Sequence, residues 1–214
     1  MRESVEKKRI RALQIIDIFN KIYDNADCTL EYTSPLQLVI ATQLAAQCTD
    51  ARVNLVTPAL FDRYPDVYSF AAADELELME LIRSTGFFRN KARNIIACCQ
   101  KLISDFDGVV PHTMDELLSL PGVGRKTANL VLGDAFGIPG IVVDTHATRL
   151  SLRIRFTVNK DPYKIELDLL KIIPAEFQSS FCHQLVYHGR EYCSARKPRC
   201  NECPINHLCH QKGL

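Results

Sequence analysis

Lys126 stands directly behind a glycine-rich turn, Leu120-Pro121-Gly122-Val123-Gly124-Arg125, which separates two apolar segments of helical spacing. Two glycines one residue apart let the backbone turn tightly and leave successive N–H groups facing outward at a helix start, where they can hold a phosphate without any side chain. Gly122, Val123, Gly124 and Arg125 are therefore candidate phosphate contacts. The turn is not a P-loop, because that motif's spacer and its Lys-Ser/Thr ending are missing and no strand precedes it. The plainer reading is an ordinary interhelical turn. Lys126 falls in the first turn of the second helix, where the positive end of the helix dipole and the adjacent Arg125 disfavour its protonated form. Such a lysine can attack an electrophilic carbon and form a Schiff base, or it can be one more phosphate-binding cation. Asp144 is the carboxylate that could join it. Its position before Thr145 makes it a helix N-cap, and a capping carboxylate can also act catalytically.

A second set of residues points to a metal. Four of the nine cysteines, Cys193, Cys200, Cys203 and Cys209, occur in a C-x6-C-x2-C-x5-C run. Four thiolates suit either a tetrahedral zinc or an iron–sulfur cube. The spacing has one close pair instead of two and also differs from the ferredoxin run, so it leaves both metals open. His207 and His210 are not needed as ligands and read as surface residues. Cys28, Cys48, Cys98, Cys99 and Cys182 are scattered and read as small core residues.

The elements that must position these groups read as helices. Ser34, Pro35 and Gln37 form a capping-box pattern ahead of Leu36, Val39, Ile40 and Leu44. Thr113 and Glu116 repeat it ahead of Leu117. Asp74 precedes an acidic first turn, Asn90 precedes Ile95 and Ile96, and Asp161-Pro162 opens a run through Ile165, Leu169 and Ile172. Leu13, Ile16 and Phe19 mark an N-terminal helix. Gly86, Gly108, Pro121 and Pro174 mark stops. Only Ile141-Val142-Val143 is strand-like, so the expected fold class is all-α. No compositional boundary marks a domain.

Composition narrows the classes further. The 214 residues carry 26 Lys and Arg against 25 Asp and Glu, with 47% hydrophobic residues, which excludes a disordered chain and a coiled coil. No apolar run approaches the roughly 20 residues of a membrane span, and the charged start MRESVEKKRIR lacks a signal peptide's apolar stretch. A cytoplasmic protein without a membrane partner is expected, and in that compartment clustered cysteines suggest a metal before a disulfide. The net charge of +1 hides local fields. Arg83, Arg89, Lys91 and Arg93 run without an intervening acid, and Arg190, Arg196, Lys197 and Arg199 face only Glu191. Both runs are candidate phosphate contacts.

Taken together, LPGVGRKTAN at 120–129, VDTH at 143–146, HGR at 188–190 and the cysteine tail closely resemble the endonuclease III family of DNA glycosylases with associated lyase activity, within the helix-hairpin-helix superfamily. LAAQCTD at 44–50 and STGFFRNKARNI at 84–95 extend the likeness over nearly the whole chain. The resemblance implies two helical domains flanking a DNA cleft. One is a helical barrel with the helix-hairpin-helix over 28–138; the other is built from 1–27 and 139–214 around a [4Fe–4S] cluster on the four cysteines. It implies that Lys126 is the Schiff-base nucleophile and Asp144 the essential carboxylate, and that the loop of Arg196, Lys197 and Arg199 contacts phosphate. Gln47 matches the residue that fills the gap left by an extruded base. Phe87 stands where relatives often carry Leu as a wedge into the opposite strand, and Asp50 matches a carboxylate near the pocket. The implied activity is base excision repair of oxidised pyrimidines in double-stranded DNA, with β-elimination at the abasic site, by a monomer associated with a bacterial or archaeal nucleoid. Two other readings are a non-catalytic iron–sulfur DNA-binding module and a monofunctional mismatch glycosylase. Adenine mismatch glycosylases lack the lysine and carry a further C-terminal domain, for which the five residues beyond Cys209 leave no room.

Overall fold

The computed structural model describes residues 3–211, and among these the regular structure is helical, without a strand. Eleven α-helices follow one another: α1 Val5–Ile22, α2 Pro35–Leu44, α3 Asp50–Arg63, α4 Val67–Ala71, α5 Glu75–Ile82, α6 Phe88–Phe106, α7 Met114–Ser119, α8 Arg125–Phe136, α9 Thr145–Ile154, α10 Pro162–Leu170 and α11 Gln178–Glu191. Most begin where a short polar side chain can satisfy a free backbone N–H. Ser34, Asp74, Thr113, Asp144 and Asp161 each accept a hydrogen bond from the first turn of the helix they precede. Gln37 does not reach back to Ser34; its Oε1 accepts instead from the N–H and hydroxyl of Thr33. Among the described residues no helix is long and apolar enough to cross a membrane.

The chain divides into two compact units, Cys28–Ile138 and the pair Met1–Asp27 with Pro139–Leu214. The contiguous unit buries Leu38, Leu44, Leu60, Leu78, Ile95, Leu102, Leu117 and Val131, contributed by α2, α3 and α5–α8. The discontinuous unit packs Ile15, Ile16 and Phe19 of α1 against Leu150, Ile154, Ile165, Leu169, Phe181 and Leu185 of α9–α11. Leu13, expected in that stripe, is exposed, and Ala12 and Ile15 take its place. Gly189 permits a close approach in this unit: a Cβ there would collide with the His146 ring and lie 2.9 Å from the Arg149 guanidinium.

One helix start and the strand-like run differ from the sequence reading. α6 begins at Phe88, not after Asn90, because Phe87 adopts left-handed backbone (φ 47°, ψ 26°) and turns the chain into the helix without a side-chain cap. Ile141–Val143 is extended but pairs with no strand; the Val142 N–H is bonded to the Cys182 sulfur instead.

Candidate active site and metal centre

The turn between α7 and α8 is a hairpin. Val123 N–H closes it onto the Leu120 carbonyl at 3.1 Å, and the Val123 side chain is buried as its anchor. Gly122 has φ +77°, and a Cβ there would lie 2.7 Å from Gln43 Oε1 and 3.0 Å from Asn94 Cβ. Both the dihedral and the close approach exclude a larger residue. Gly124 is the N-cap of α8, and no side chain caps that helix. Its N-terminal amides are therefore open to an external acceptor. Lys126 follows in the first turn, exposed, with no hydrogen bond or ion pair among the described residues.

In the other unit, Asp144 caps α9 through Oδ1, which accepts from Ala147 N–H at 2.7 Å. Oδ2 accepts nothing among the described residues, so capping occupies only one of the two oxygens.

Gln47 and Phe87 share one recess with Gln43, Ala46, Asn90, Lys91, Asn94 and Gly122. Phe87 is 62% exposed and so is not a core aromatic. Gln47 is exposed in the turn after α2 with φ 54°. Gln43 is buried, donates from Nε2 to the Pro121 carbonyl and leaves Oε1 unpaired. Asp50 does not line this recess; its carboxylate accepts from the Thr29 hydroxyl.

The basic run from Arg83 through α6 is largely engaged within the protein. Lys91 is buried and donates to the carbonyls of Leu44 and Thr85 at 2.7 and 2.8 Å, tying the Gln47 turn to the Phe87 turn, while burial lowers its pKa. Arg83 pairs with Glu80, Arg93 with Glu75, and Arg89 lies over the Phe88 ring. In the cysteine loop Arg196 and Lys197 are exposed, and neither side chain has a partner among the described residues. Arg199 is a brace: it donates twice to the Glu191 carbonyl, pairs with Glu202 and stacks over Tyr192.

Cys193, Cys200, Cys203 and Cys209 converge on one recess with Leu150, Ile154 and Ile205. The other three sulfurs are near enough to bear electrostatically on Cys203. Burial pushes the Cys203 thiol up to about 11 and also raises Cys209. Four clustered thiols in an apolar recess without mutual disulfides match the soft donor set of an iron–sulfur cluster, whose iron would hold them as thiolates. The surroundings were not evident from sequence. Arg153, buried, donates to the Cys193 sulfur at 3.2 Å and to the carbonyls of Ser194 and Ala195. Arg149 holds the Cys193 and Gly189 carbonyls. His188 Nε2 lies 3.4 Å from the Cys203 sulfur and Nδ1 3.1 Å from the Tyr23 hydroxyl, with burial lowering the imidazole to about 4. Burial, then the nearby Glu191 carboxylate, raises the Tyr23 phenol, which stays protonated. Of these neighbours only His188 and Gly189, within HGR, belong to a motif that the sequence set apart.

Comparison with known proteins places these features in a family. Residues 40–175 match the model of the HhH-GPD superfamily base excision DNA repair proteins, and residues 193–209, from the first to the last clustered cysteine, match the iron–sulfur binding domain of endonuclease III. Endonuclease III of Synechocystis sp. is 55% identical over 98% of this chain and 95% of its own length, and that of Escherichia coli strain K12 is 42% identical over 95% and 97%. A trapped endonuclease III–DNA covalent intermediate, an estranged-adenine complex, superposes with a TM-score of 0.90 at 44% identity, covering 95% of this chain and 96% of the other. The chain thus belongs to the endonuclease III family, DNA glycosylases with lyase activity in base excision repair that carry a [4Fe–4S] cluster.

Proposed function

We propose that this enzyme removes oxidised pyrimidines from double-stranded DNA with Lys126 as its nucleophile, and that it acts as a monomer. The observation that carries this reading is an exposed lysine, unpaired among the described residues, in the first turn of an uncapped helix directly behind a glycine hairpin. A damaged base must leave the stack before any side chain reaches its sugar, at a cost of a few kcal/mol that is least for a damaged base. Lys126 Nζ then donates its lone pair to C1′ as the glycosidic bond breaks and the base departs with that bond's electrons. The unpaired Oδ2 of Asp144 stabilises the positive charge that develops on the sugar and helps take the lysine proton. The C1′–O4′ bond of the resulting aminal then breaks, O4′ taking a proton as it becomes a hydroxyl, which gives the open-chain iminium. Loss of a C2′ proton from that iminium expels the 3′ phosphate and nicks the strand.

The remaining residues bind. The amides of Gly122 and Gly124, with Arg125, hold backbone phosphate, Val123 sets the turn that presents them, and Arg196 and Lys197 add exposed charge. Gln47 fills the space of the extruded base and Phe87 wedges the opposite strand. Cys193, Cys200, Cys203 and Cys209 hold the cluster, which takes no part in the base chemistry.

Borohydride trapping tests the reading. Duplex DNA with an oxidised pyrimidine should give a covalent adduct with the wild-type protein and none with Lys126→Ala, which should still bind an abasic-site duplex. Unchanged strand cleavage by Lys126→Ala would overturn the assignment.

A further inference from the structure

His188 lies between a hydroxyl and a sulfur, and both ring nitrogens are committed: Nδ1 to Tyr23 at 3.1 Å, Nε2 to Cys203 at 3.4 Å. The ring cannot reorient freely, because it stacks on Tyr192 with centroids 5.4 Å apart and meets Phe19 at 4.9 Å. A neutral imidazole has one N–H, and its place follows from its neighbours. A thiolate bound to iron can only accept, so an Nε2 lone pair facing it would be repulsive; the proton belongs on Nε2, and Nδ1 is left to accept from the phenol. Each group in the chain Tyr23 O–H, His188, Cys203 then points its donor toward the sulfur.

We infer that Tyr23 and His188 form a hydrogen-bonded relay onto the Cys203 sulfur and that this relay sets the one-electron reduction potential of the cluster. The inference rests on the reading above that Cys203 is a cluster ligand. Hydrogen bonds to cysteine sulfur draw charge off the ligand and favour the reduced cluster, so the relay raises the potential. Arg153 also donates to a ligand, Cys193, but its guanidinium braces three loop carbonyls as well, and removing it would release the loop. The His188 ring joins the Tyr23 hydroxyl to the sulfur, and the Glu191 carboxylate also bears on that hydroxyl. Neither side chain braces the loop carbonyls as Arg153 does, so substituting them changes the hydrogen bonding at the sulfur without releasing the loop.

The test uses purified holoprotein as wild type, His188→Phe, His188→Gln and Tyr23→Phe, each first assayed for iron and sulfide. The midpoint potential of the [4Fe–4S]2+/1+ couple is then measured by spectroelectrochemical titration, and the Fe–S(Cys) stretches by resonance Raman in H2O and D2O. The relay predicts a more negative potential for His188→Phe, a smaller shift of the same sign for Tyr23→Phe, and a value near wild type for His188→Gln, whose amide can still donate. It also predicts a deuterium-sensitive Fe–S(Cys) band that His188→Phe loses. Should His188→Phe fail to load its cluster, Tyr23→Phe decides alone, since it leaves the ligands and His188 in place. Unchanged potential and Raman bands in a fully loaded His188→Phe or Tyr23→Phe would reduce the pair to packing and overturn the inference. A full cluster in Cys203→Ala would instead overturn the ligand assignment beneath it.

Discussion

Gln47 and Phe87, far apart in sequence and on different elements, both hold left-handed backbone and both open onto the recess beside Gly122. For non-glycine residues that conformation costs about 1 kcal/mol or more. Strain of this kind at exposed side chains marks a place where the direction of the side chain matters more than local stability.

Glycine at either position should therefore separate stability from function. Gln47→Gly and Phe87→Gly are each expected to leave stability unchanged or raise it by about 0.5 kcal/mol, since relief of strain exceeds the added freedom of the unfolded chain only slightly. Lesion excision should fall at least tenfold. Thermal melts and single-turnover cleavage on the same preparations check this, and a glycine variant with full activity would show that the side chain is dispensable.

Asp144 offers a cleaner separation, because only one of its two oxygens caps the helix. Asp144→Asn keeps an N-cap of equal quality, so its stability should lie within about 0.5 kcal/mol of wild type. Asp144→Ala should lose about 1 kcal/mol with the cap. Both should lose glycosylase activity by about 100-fold or more, the size seen when one preorganised charge-stabilising group is removed. Equal activity in Asp144→Asn and wild type would leave the residue a cap alone.

The loop between Cys193 and Cys200 contains basic residues of two kinds. Removing Arg196 or Lys197 should weaken DNA binding and reduce the slope of log K against log salt by about 0.9 for each phosphate no longer neutralised. Arg199→Ala should leave that slope in place and lower stability, because its guanidinium is engaged by Glu191 and Glu202. Fluorescence anisotropy across a salt series distinguishes them.

Lys91 predicts a pH effect. Burial favours its neutral form, so its folded pKa lies below the unfolded value of about 10.4. Folding is then opposed by this group while both states are protonated, and stability rises with pH from the folded pKa up to about 10.4. Lys91→Met should flatten that rise. It should also cost about 1–3 kcal/mol for each of the two carbonyls left unpaired. Denaturant melts between about pH 7 and 10.5, which bracket the unfolded value, measure both effects.

What the sequence discloses here is mainly what short polar side chains announce. Ser34, Asp74, Thr113, Asp144 and Asp161 could be read as helix starts because a side-chain oxygen at the cap is a local device. α11 has no such cap and enters from the single turn Ala175–Phe177, so it left no comparable mark. α6 starts from a strained Phe87 for the same reason. α3 has its cap at Thr49 but carries Pro58 inside, which deprives the Asn54 carbonyl of its helical partner and breaks the pattern. The glycine hairpin and the cysteine spacing were visible as chemistry. The commitments of Lys91 and Arg199 were not, because a charge written in a sequence does not say whether water, a carbonyl or a carboxylate surrounds it.

The unit holding the cysteines is assembled from both sides of the other unit in the chain. α1 has its apolar stripe of Ala12, Ile15, Ile16 and Phe19 from the moment it is made, while Leu150, Ile154, Phe181 and Leu185, the residues that cover it, are synthesised only after the whole of 28–138. On the ribosome the contiguous unit can close as soon as it emerges, but α1 must wait with that stripe uncovered. Its docking, sealed by Arg11 donating to the Ile154 and Leu208 carbonyls, joins residues very far apart in sequence. Pairings of that kind form slowly. The core of the cysteine-bearing unit is thus complete only once the first helix returns.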